Sequence, residues 1–360
     1  MLKGIAKKVY YSYRKLLYAI CGRKQTSVIS EGKECEVKLL NVEDGTYGDV
    51  VHPCVRYIPE SFRGHRWWMV FTPYYGFNNK LENPRLCYGV VGGKNGTIAP
   101  SQWIMVEEIE SGKETGYNSD PTMIYHNKNL YIYWRENFTE RTTAAGNIRA
   151  TYCKVFTEED SKDVAEPILT EQSKFCDREM CPTFFIGNGN FYCYGVDYRF
   201  TVEKWQHSKI LNRLFRITGK LGIYSQAKSN GIALWQGESL ERPFRYMGTM
   251  PIQRVNRLHK PWHMDFFNFE EKTYAIILTN ESLGDICLAE SVDGHNYRMF
   301  KKPLLTNKTL GCIEVYKPSA LVVEGTFYLY YTARNRDNPS LNKLYLVSYP
   351  FNELIKRLER

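Results

Sequence analysis

A sequence pattern recurs five times along the chain. Each copy begins with a residue followed by a proline, or by a methionine in one copy, and we call this pair the proline-like slot. A tyrosine-rich or other apolar run follows it. The slots and runs are His52-Pro53 with 67–71, Asp120-Pro121 with 130–134, Cys181-Pro182 with 191–194, His263-Met264 with 273–277, and Lys317-Pro318 with 327–331. Four of the five copies place an aromatic residue ten positions after the slot. Because aromatic and β-branched runs bounded by Gly and Asn are typical of paired strands, each copy predicts an antiparallel hairpin.

The spacing of these hairpins predicts the fold. Tight polar links join the two runs of a copy at 126–129, 187–190 and 324–325. Copies begin roughly every 50 to 80 residues, which is the length of a four-stranded propeller blade with its loops. We therefore predict an all-β protein, a single five-bladed β-propeller over residues 30–350. A two-sheet sandwich is the alternative, but it gives no reason for the repeated phrase.

Residues 1–24 form a separate, basic segment. They hold seven Lys and Arg residues and no acidic residue, so they carry most of the net charge of +9. At about 100° per residue the apolar side chains fall on one stripe and most basic ones on the other side, which predicts an amphipathic helix. Such a helix can lie on an anionic membrane surface, or it can pack across the propeller with its charged face solvated. No stretch has the length of a membrane span or the form of a secretory signal, so we predict a cytoplasmic protein, peripheral to the membrane under the first interpretation.

The remaining composition argues against other classes of function. Beyond residue 24 the chain is nearly neutral, which is not typical of a nucleic-acid-binding protein. The ten cysteines include no C-x-x-C pair, so the sequence shows no metal-ligand spacing and we predict neither a metal nor a cofactor. Most cysteines stand in apolar runs, where a buried free thiol is expected. An aromatic content of 14% suits a sheet-rich core and stacking surfaces for sugars.

A candidate site follows from the predicted fold. In a propeller the innermost strand of each blade lines a central cavity, so residues at the proline-like slots are expected to meet at its mouth. The slot residues are His52, Asp120, Cys181, His263 and Lys317, and the polar or aromatic residues near them include Asp49, Arg135, Glu179, Trp262, Asp265, Glu314 and Tyr316. Converging carboxylates with aromatic walls are what glycosidic chemistry needs, because one acid must protonate the leaving oxygen while a second carboxylate serves the opposite face of the sugar.

Several of these phrases resemble a known clan of enzymes, the five-bladed propeller glycoside hydrolases that include families 43 and 32. Asn118-Ser119-Asp120-Pro121 resembles their second-blade motif, and Arg178-Glu179-Met180-Cys181-Pro182 resembles their third-blade motif. Glu82-Asn83-Pro84 and Pro261-Trp262-His263-Met264-Asp265 also resemble a subgroup of uncharacterised relatives. The resemblance covers essentially the whole predicted propeller, and it implies a carbohydrate-active enzyme with one carboxylate in each of the first three blades.

Two positions depart from that pattern. His52 occupies the slot where the first-blade Asp is expected, and Asp49 lies three residues earlier. Glu179 stands three residues before Pro182 rather than two. On a regular strand this shift of one residue turns the side chain to the other face of the sheet. A β-bulge beside Glu179 would restore it. The carboxylate set that the resemblance implies is therefore incomplete as written.

The candidate roles follow from these two lines of reasoning. Asp120, Glu179, Asp49 and Asp265 are the candidate catalytic carboxylates, with Glu179 as general acid, Asp49 as base and Asp265 as the substitute carboxylate. His52, Arg135, Trp262, His263, Tyr316 and Lys317 are the candidate substrate-binding residues. An ordinary structural role is the alternative for each, such as a capped turn, a solvated loop carboxylate or core packing.

Three functions are compatible with the sequence. The first is a glycoside hydrolase or transglycosylase that acts on an oligosaccharide or polysaccharide with paired carboxylates in the funnel. The second is a membrane-surface sugar transferase of surface-polysaccharide assembly, which the basic segment and the incomplete carboxylate set favour. The third is a glycan-binding propeller without catalytic activity, because one fold hosts catalysts and binders alike. We predict the first, a glycoside hydrolase-like enzyme.

Overall fold

The structure is a computed structural model, and it describes residues 27–29, 35–42, 48–91, 98–110, 116–143, 146–173, 176–187, 189–199, 228–254, 261–279, 285–306, 314–334 and 341–359. Within these ranges the chain is built almost entirely of strands, so the prediction of an all-β propeller is confirmed. The amphipathic helix predicted over 1–24 lies outside the described residues. No helix in the part of the chain that the structure describes is long and apolar enough to cross a membrane.

The strands of the described residues group into antiparallel meanders, which we number in chain order after the first strand, β1 (Cys35–Leu39). Meander 1 contains β2 (Val50–Phe62), β3 (His65–Pro73), β4 (Arg85–Val90) and β5 (Gln102–Glu108), with 3₁₀ turns at Tyr75–Phe77 and Asn79–Leu81. Meander 2 contains β6 (Tyr117–His126), β7 (Asn129–Thr143), β8 (Gly146–Phe156), the short β9 (Ser161–Asp163) and β10 (Leu169–Ser173). Meander 3 contains β11 (Cys176–Gly187), β12 (Asn190–Arg199), β13 (Lys228–Gly237) and β14 (Arg245–Met250).

Two further meanders complete the described chain. Meander 4 contains β15 (Ile252–Gln253), β16 (Pro261–Phe269), β17 (Lys272–Thr279), β18 (Ile286–Ser291) and β19 (Tyr297–Met299). Meander 5 contains β20 (Glu314–Val323), β21 (Thr326–Arg334) and β22 (Asn342–Pro350), and helix α1 (Phe351–Glu359) follows. The links predicted at 126–129, 187–190 and 324–325 each join the first two strands of a meander, as the repeat predicts.

The first long strands of the meanders meet around a central axis. Strands β2, β6, β11, β16 and β20 contact one another in that order, and β20 contacts β2 again. Strand β1 pairs antiparallel with β22 and parallel with β5, which joins meanders 5 and 1 in one eight-stranded sheet. The earliest described strand therefore ties the last meander to the first and leaves fewer open sheet edges.

Apolar layers fill the space between successive meanders. Representative buried pairs are Trp68 and Met123 between meanders 1 and 2, Tyr133 and Phe184 between 2 and 3, Tyr194 and Phe266 between 3 and 4, Phe267 and Phe327 between 4 and 5, and Trp103 and Tyr330 between 5 and 1. Aromatic pairs of this kind contribute about 0.5–1.5 kcal/mol each beyond the area they bury. The tyrosine-rich runs of the sequence are thus mainly core, and the polar slots are left to line the centre.

Each inner strand is interrupted at its proline-like slot. The pairing register shifts at the slots of β2, β6, β11, β16 and β20. His52, Asp120 and Cys181 adopt φ values of 53°, 52° and 53°, in the left-handed region that non-glycine residues rarely enter. The following proline cannot donate a ladder hydrogen bond, which explains why the sheet is interrupted there. Bulges of this kind re-aim side chains, and they cluster beside functional sites.

Candidate functional site

Asp120 is the centre of a buried polar cluster at the proline-like slots. Its Oδ1 lies 3.3 Å from Nε2 of His52, 3.7 Å from Nδ1 of His263 and 3.5 Å from Sγ of Cys181. Nδ1 of His263 also contacts Sγ of Cys181 directly. All four side chains are buried. The ring of inner strands therefore brings together slot residues from four different meanders, as the sequence predicts.

Polar groups of meander 1 approach the other ring nitrogen of His52, Nδ1. Nδ1 of His52 lies 2.9 Å from Oγ1 of Thr72 on β3 and 3.9 Å from Oε2 of Glu82. With Nδ1 engaged there, Nε2 is the nitrogen that faces Asp120. A hydrogen bond to the far nitrogen of an imidazole fixes the orientation of the ring, and such second contacts are typical of histidines that bind metals or move protons.

Two aromatic rings pack against the two histidines. The Tyr316 ring centroid lies 5.2 Å from that of His52 and 4.7 Å from that of His263. The Trp262 ring lies edge-on to His263 at 5.6 Å, and its carbonyl oxygen accepts from the Cys181 thiol at 3.6 Å. Trp262 and Tyr316, predicted as stacking surfaces for substrate, therefore both lie against the cluster.

Two cations flank the Asp120 carboxylate. Nη1 of Arg135, on β7, lies 3.5 Å from Oδ2 of Asp120. Nζ of Lys317 is buried, and it donates to the carbonyl oxygen of Pro121 at 3.1 Å. These groups and the slot histidines were all predicted as site residues, and the structure places them within one shell around Asp120.

The cluster holds a carboxylate and two neutral imidazoles at neutral pH. Burial opposes ionisation of Asp120, but the positive charges of Arg135 and Lys317 beside it hold the pKa of its carboxyl well below its usual range. Burial lowers the pKa of His52 to about 4, although the charge of Asp120 opposes this. Burial likewise lowers the pKa of His263 well below its usual range. The lone pairs of both imidazoles are therefore available to a ligand at neutral pH.

Glu82 reaches the cluster from the connection between β3 and β4. It follows the 3₁₀ turn Asn79–Leu81, where its N–H donates to the Asn79 carbonyl at 2.9 Å, and its own carbonyl accepts from the N–H of Asn118 at 3.0 Å. Burial raises the pKa of the Glu82 carboxyl well above its usual range, and the charge of Asp120 adds to this effect. Two carboxyl groups whose pKa values are driven apart are the arrangement that acid–base catalysis uses.

His52, Asp120 and His263 together have the donor set of a metal site. Their ligand atoms lie within 4.8 Å of one another, and all three residues are buried. Nδ1 of His263 is the ring nitrogen that approaches Asp120, at 3.7 Å from its Oδ1. Two neutral imidazoles and one carboxylate match the ligands of catalytic Zn²⁺ and of non-haem Fe²⁺ sites. The residues present therefore fit a divalent transition-metal cation.

Asp265 lies in a second buried network beside this cluster. Its Oδ1 and Oδ2 accept from Arg56 at 2.8 and 3.0 Å, and the Ser319 hydroxyl donates to Oδ2 at 2.6 Å. The Ser319 oxygen in turn accepts from the N–H of Val55 at 2.9 Å. Burial opposes ionisation of Asp265, but Arg56 and then Ser319 hold the pKa of its carboxyl below its usual value. This network joins inner strands β2, β16 and β20, and we call it the Asp265 network.

The other two candidate carboxylates occupy different surroundings. Asp49 is buried at the start of β2, and its Oδ2 accepts from the N–H of Asn342 at 3.1 Å. Glu179 is fully buried on β11, and it lies within a shift of the pairing register between Asp177 and Met180, which a second shift follows between Met180 and Thr183. Its charge raises the pKa of Cys193 on the neighbouring strand, after the larger effect of burial. The irregularity that a re-aimed Glu179 requires is therefore present in β11.

Asp49 leads to a pH prediction. Burial raises its pKa to about 6, although hydrogen bonds from Asn342 and the charge of Arg334 oppose this, so the folded protein holds this proton more tightly than the unfolded chain. The associated stability is present at low pH and is lost as the pH rises through about 6. We expect the free energy of unfolding of Asp49→Asn, relative to that of the unmodified protein, to be about 1 kcal/mol more favourable at about pH 7.5 than at about pH 5. Urea denaturation of both proteins at the two pH values measures this difference. An equal difference at both pH values contradicts this prediction.

Two features of the site were not predicted from the sequence. Glu82 and Thr72 were not among the candidate residues, and the only signal for either was the phrase Glu82-Asn83-Pro84. No metal was predicted, because the donors come from separate meanders rather than from a short ligand motif. The sequence identified the slot residues as neighbours, whereas the residues that approach them from connecting loops required the folded chain.

The fold is shared with solved structures of carbohydrate-active enzymes. The structure resembles an N-acetylgalactosamine deacetylase from F. plautii, in complex with blood group B trisaccharide, with 14% identity over 91% of this chain and 97% of that one and a TM-score of 0.65. It resembles a GH43_1 enzyme from Xanthomonas citri complexed with xylotriose, with 11% identity over 92% of both chains and a TM-score of 0.56. It also resembles the RS223 beta-xylosidase, with 10% identity over 84% of this chain and 92% of that one and a TM-score of 0.58.

These similarities define the class of fold. The protein has the β-propeller fold of the family 43 glycoside hydrolases, as the resemblance of its sequence phrases implied. No family model and no curated protein sequence matches the chain. Function must therefore be argued from the site itself.

Proposed function

We propose that this protein is a carbohydrate-active hydrolase whose site is the Asp120 cluster at the centre of a five-bladed propeller, each meander being one blade. In this proposal the cluster holds a divalent cation and cleaves a bond in a sugar ligand that enters along the axis. The observation that carries the proposal is the buried set of His52, Asp120 and His263, whose ligand atoms lie within 4.8 Å of one another. The shared fold supports a sugar as the ligand, since neighbours with this fold are sugar hydrolases, several of them solved with bound sugars.

The reaction class that fits this donor set best is metal-assisted hydrolysis of an acyl substituent on a sugar. A cation held there supplies a Lewis acid that polarises a carbonyl oxygen and activates water. A deacetylase is among the proteins that share the fold. The substrate class is then an oligosaccharide that carries an N-acetyl or O-acetyl group.

The side chains of the cluster have separate tasks in this reaction. His52, Asp120 and His263 hold the cation, and Thr72 fixes the ring of His52 through its Nδ1. Glu82 lies 3.9 Å from the same nitrogen, and it carries the proton between the attacking water and the leaving amine or hydroxyl. Tyr316 and Trp262 provide the apolar faces against which a sugar ring stacks.

A second candidate reaction is glycosidic bond cleavage by paired carboxylates. The family 43 neighbours favour it, and so does the raised pKa of the Glu82 carboxyl, to which the charge of Asp120 contributes after burial. Glu82 then takes the place of the general acid, with Glu179 and Asp49 as the remaining carboxylate candidates. This reaction needs no cation, so metal dependence separates it from the first.

The test is a substrate panel with and without a metal. Purified protein is treated with a chelator and then incubated with acetylated and non-acetylated oligosaccharides, alone or with Zn²⁺, Mn²⁺ or Co²⁺. We expect release of acetate that the chelator abolishes and the cation restores. Release of sugars that the chelator leaves unchanged supports the glycosidase instead. No turnover of any sugar, together with no binding of any of these cations, contradicts the proposal.

A further inference from the structure

We propose that Cys181 is a fourth ligand of the cation held by His52, Asp120 and His263, and that the site therefore takes a thiolate-binding metal such as Zn²⁺ rather than Mg²⁺ or Ca²⁺. This inference rests on the proposed function, because it concerns the same site. It adds the identity of the metal and assigns a ligand role to a cysteine that the reaction scheme above leaves unused.

Cys181 has the same backbone conformation as two of the other donors. His52, Asp120 and Cys181 each precede a proline, each lie at a register shift of an inner strand, and have φ values of 53°, 52° and 53°. A left-handed conformation is strained for a residue with a side chain, because Cβ lies too close to the following carbonyl oxygen. The same strained geometry at three equivalent positions aims three different side chains at one point, and each of them has a metal-ligating atom.

The distances around Asp120 match a tetrahedral set of ligands. With bonds of about 2.0 Å to nitrogen or oxygen and about 2.3 Å to sulfur, tetrahedral edges are about 3.3 Å between nitrogen and oxygen and about 3.5 Å between sulfur and oxygen. Oδ1 of Asp120 lies 3.3 Å from Nε2 of His52, 3.7 Å from Nδ1 of His263 and 3.5 Å from Sγ of Cys181. Sγ of Cys181 and Nδ1 of His263 are in direct contact with each other, so the two side chains must move apart when they bind one cation.

The charges around the site favour a second anionic ligand. Arg135 and Lys317 are both buried beside Asp120, so a divalent cation balanced by one carboxylate leaves several positive charges close together. A thiolate removes one of them, since the thiol proton leaves to solvent when sulfur binds the metal. Thiolate ligands select Zn²⁺ and similar cations, whereas Mg²⁺ and Ca²⁺ prefer oxygen donors.

The experiment replaces the native metal by Co²⁺, which reports its ligands through its absorption spectrum. The chelator-treated full-length protein is titrated with Co²⁺ alone, and the near-ultraviolet sulfur-to-cobalt charge-transfer band is recorded. Cys181→Ala is compared with Cys193→Ala, which removes another buried thiol from the next strand. We expect the band in the unmodified protein and in Cys193→Ala, and its loss in Cys181→Ala with weaker Co²⁺ binding retained.

X-ray absorption on the Zn²⁺ form of the unmodified protein gives the same answer without a variant. A sulfur shell at about 2.3 Å supports the thiolate, and a shell of nitrogen and oxygen alone overturns it. Co²⁺ or Zn²⁺ that binds without a sulfur signal therefore removes Cys181 as a ligand and leaves the proposed function standing. If the unmodified protein binds neither cation, both the proposed function and the role of Cys181 are overturned. If the sulfur band persists in Cys181→Ala, only the role of Cys181 is overturned.

Discussion

Glu82→Gln is expected to reduce kcat by about 10²–10⁴-fold, because the amide cannot carry the proton that general acid–base catalysis requires. The change keeps the size of the side chain, and Glu82 is held by backbone hydrogen bonds of its own N–H and carbonyl that the substitution does not touch. Binding of the sugar and the free energy of unfolding should therefore change little. The measurement is turnover of the sugar identified in the substrate panel, with KM determined separately.

The matched control for this variant is Glu107→Gln. Glu107 is on β5, which is not one of the inner strands, and its Oε1 lies 3.3 Å from Nζ of Lys154. We expect its kcat to equal that of the unmodified protein. If Glu82→Gln keeps its activity, the proposed role of Glu82 in the reaction is wrong. If the variant is inactive but circular dichroism shows that it has also lost its fold, the result does not support a catalytic role.

Asp265→Leu is expected to lower the free energy of unfolding by about 3–5 kcal/mol, because it leaves the Arg56 charge buried without its partner. Both oxygens of Asp265 accept from Arg56 at 2.8 and 3.0 Å, and the Asp265 side chain is 2% exposed. Replacing both residues, as Arg56→Met with Asp265→Leu, should recover most of the loss, since apolar residues of similar volume do not pay for desolvated charges. Urea denaturation of the two single variants and the double variant measures this coupling.

The exposed pair of Lys162 and Glu241 is the control for burial. Its Nζ–Oε2 distance of 2.7 Å is as short as that of the buried pair, but both side chains are well exposed. Glu241→Gln should therefore change the free energy of unfolding by less than about 1 kcal/mol. Because our proposal gives Asp265 a structural task, the double variant should also keep its activity. A stable but inactive double variant instead assigns Asp265 the catalytic role that the sequence allows.

The hairpins could be predicted because their information is local. An apolar run, a tight polar link and a second apolar run specify a pair of antiparallel strands within about 20 residues. The links at 126–129, 187–190 and 324–325 fall where the structure turns from the first to the second strand. The return of one phrase at similar spacing then predicted a propeller, in which equivalent residues meet around an axis. The meeting of His52, Asp120 and His263 follows from that symmetry alone.

The parts that could not be predicted depend on contacts between distant segments. Pairing of β1 with β22 joins residues some 300 positions apart in sequence, and together with the pairing of β1 with β5 it closes the ring. Glu82 comes to the site on a connection, and its position is set by its neighbours in space rather than by any repeat. The register shifts beside Glu179 depend on how β11 pairs with β12, which the sequence of β11 does not specify.

The propeller and the identity of its central residues could be read from the amino-acid sequence, since alternation, links and repeat length are properties of short segments. What those residues form together depends on the folded chain. The distances of 3.3 to 3.7 Å from Oδ1 of Asp120 to atoms of His52, Cys181 and His263 arise from packing four meanders around one axis. Burial in that packed centre sets their protonation, and it is this combination of closeness and charge that makes the cluster a candidate site.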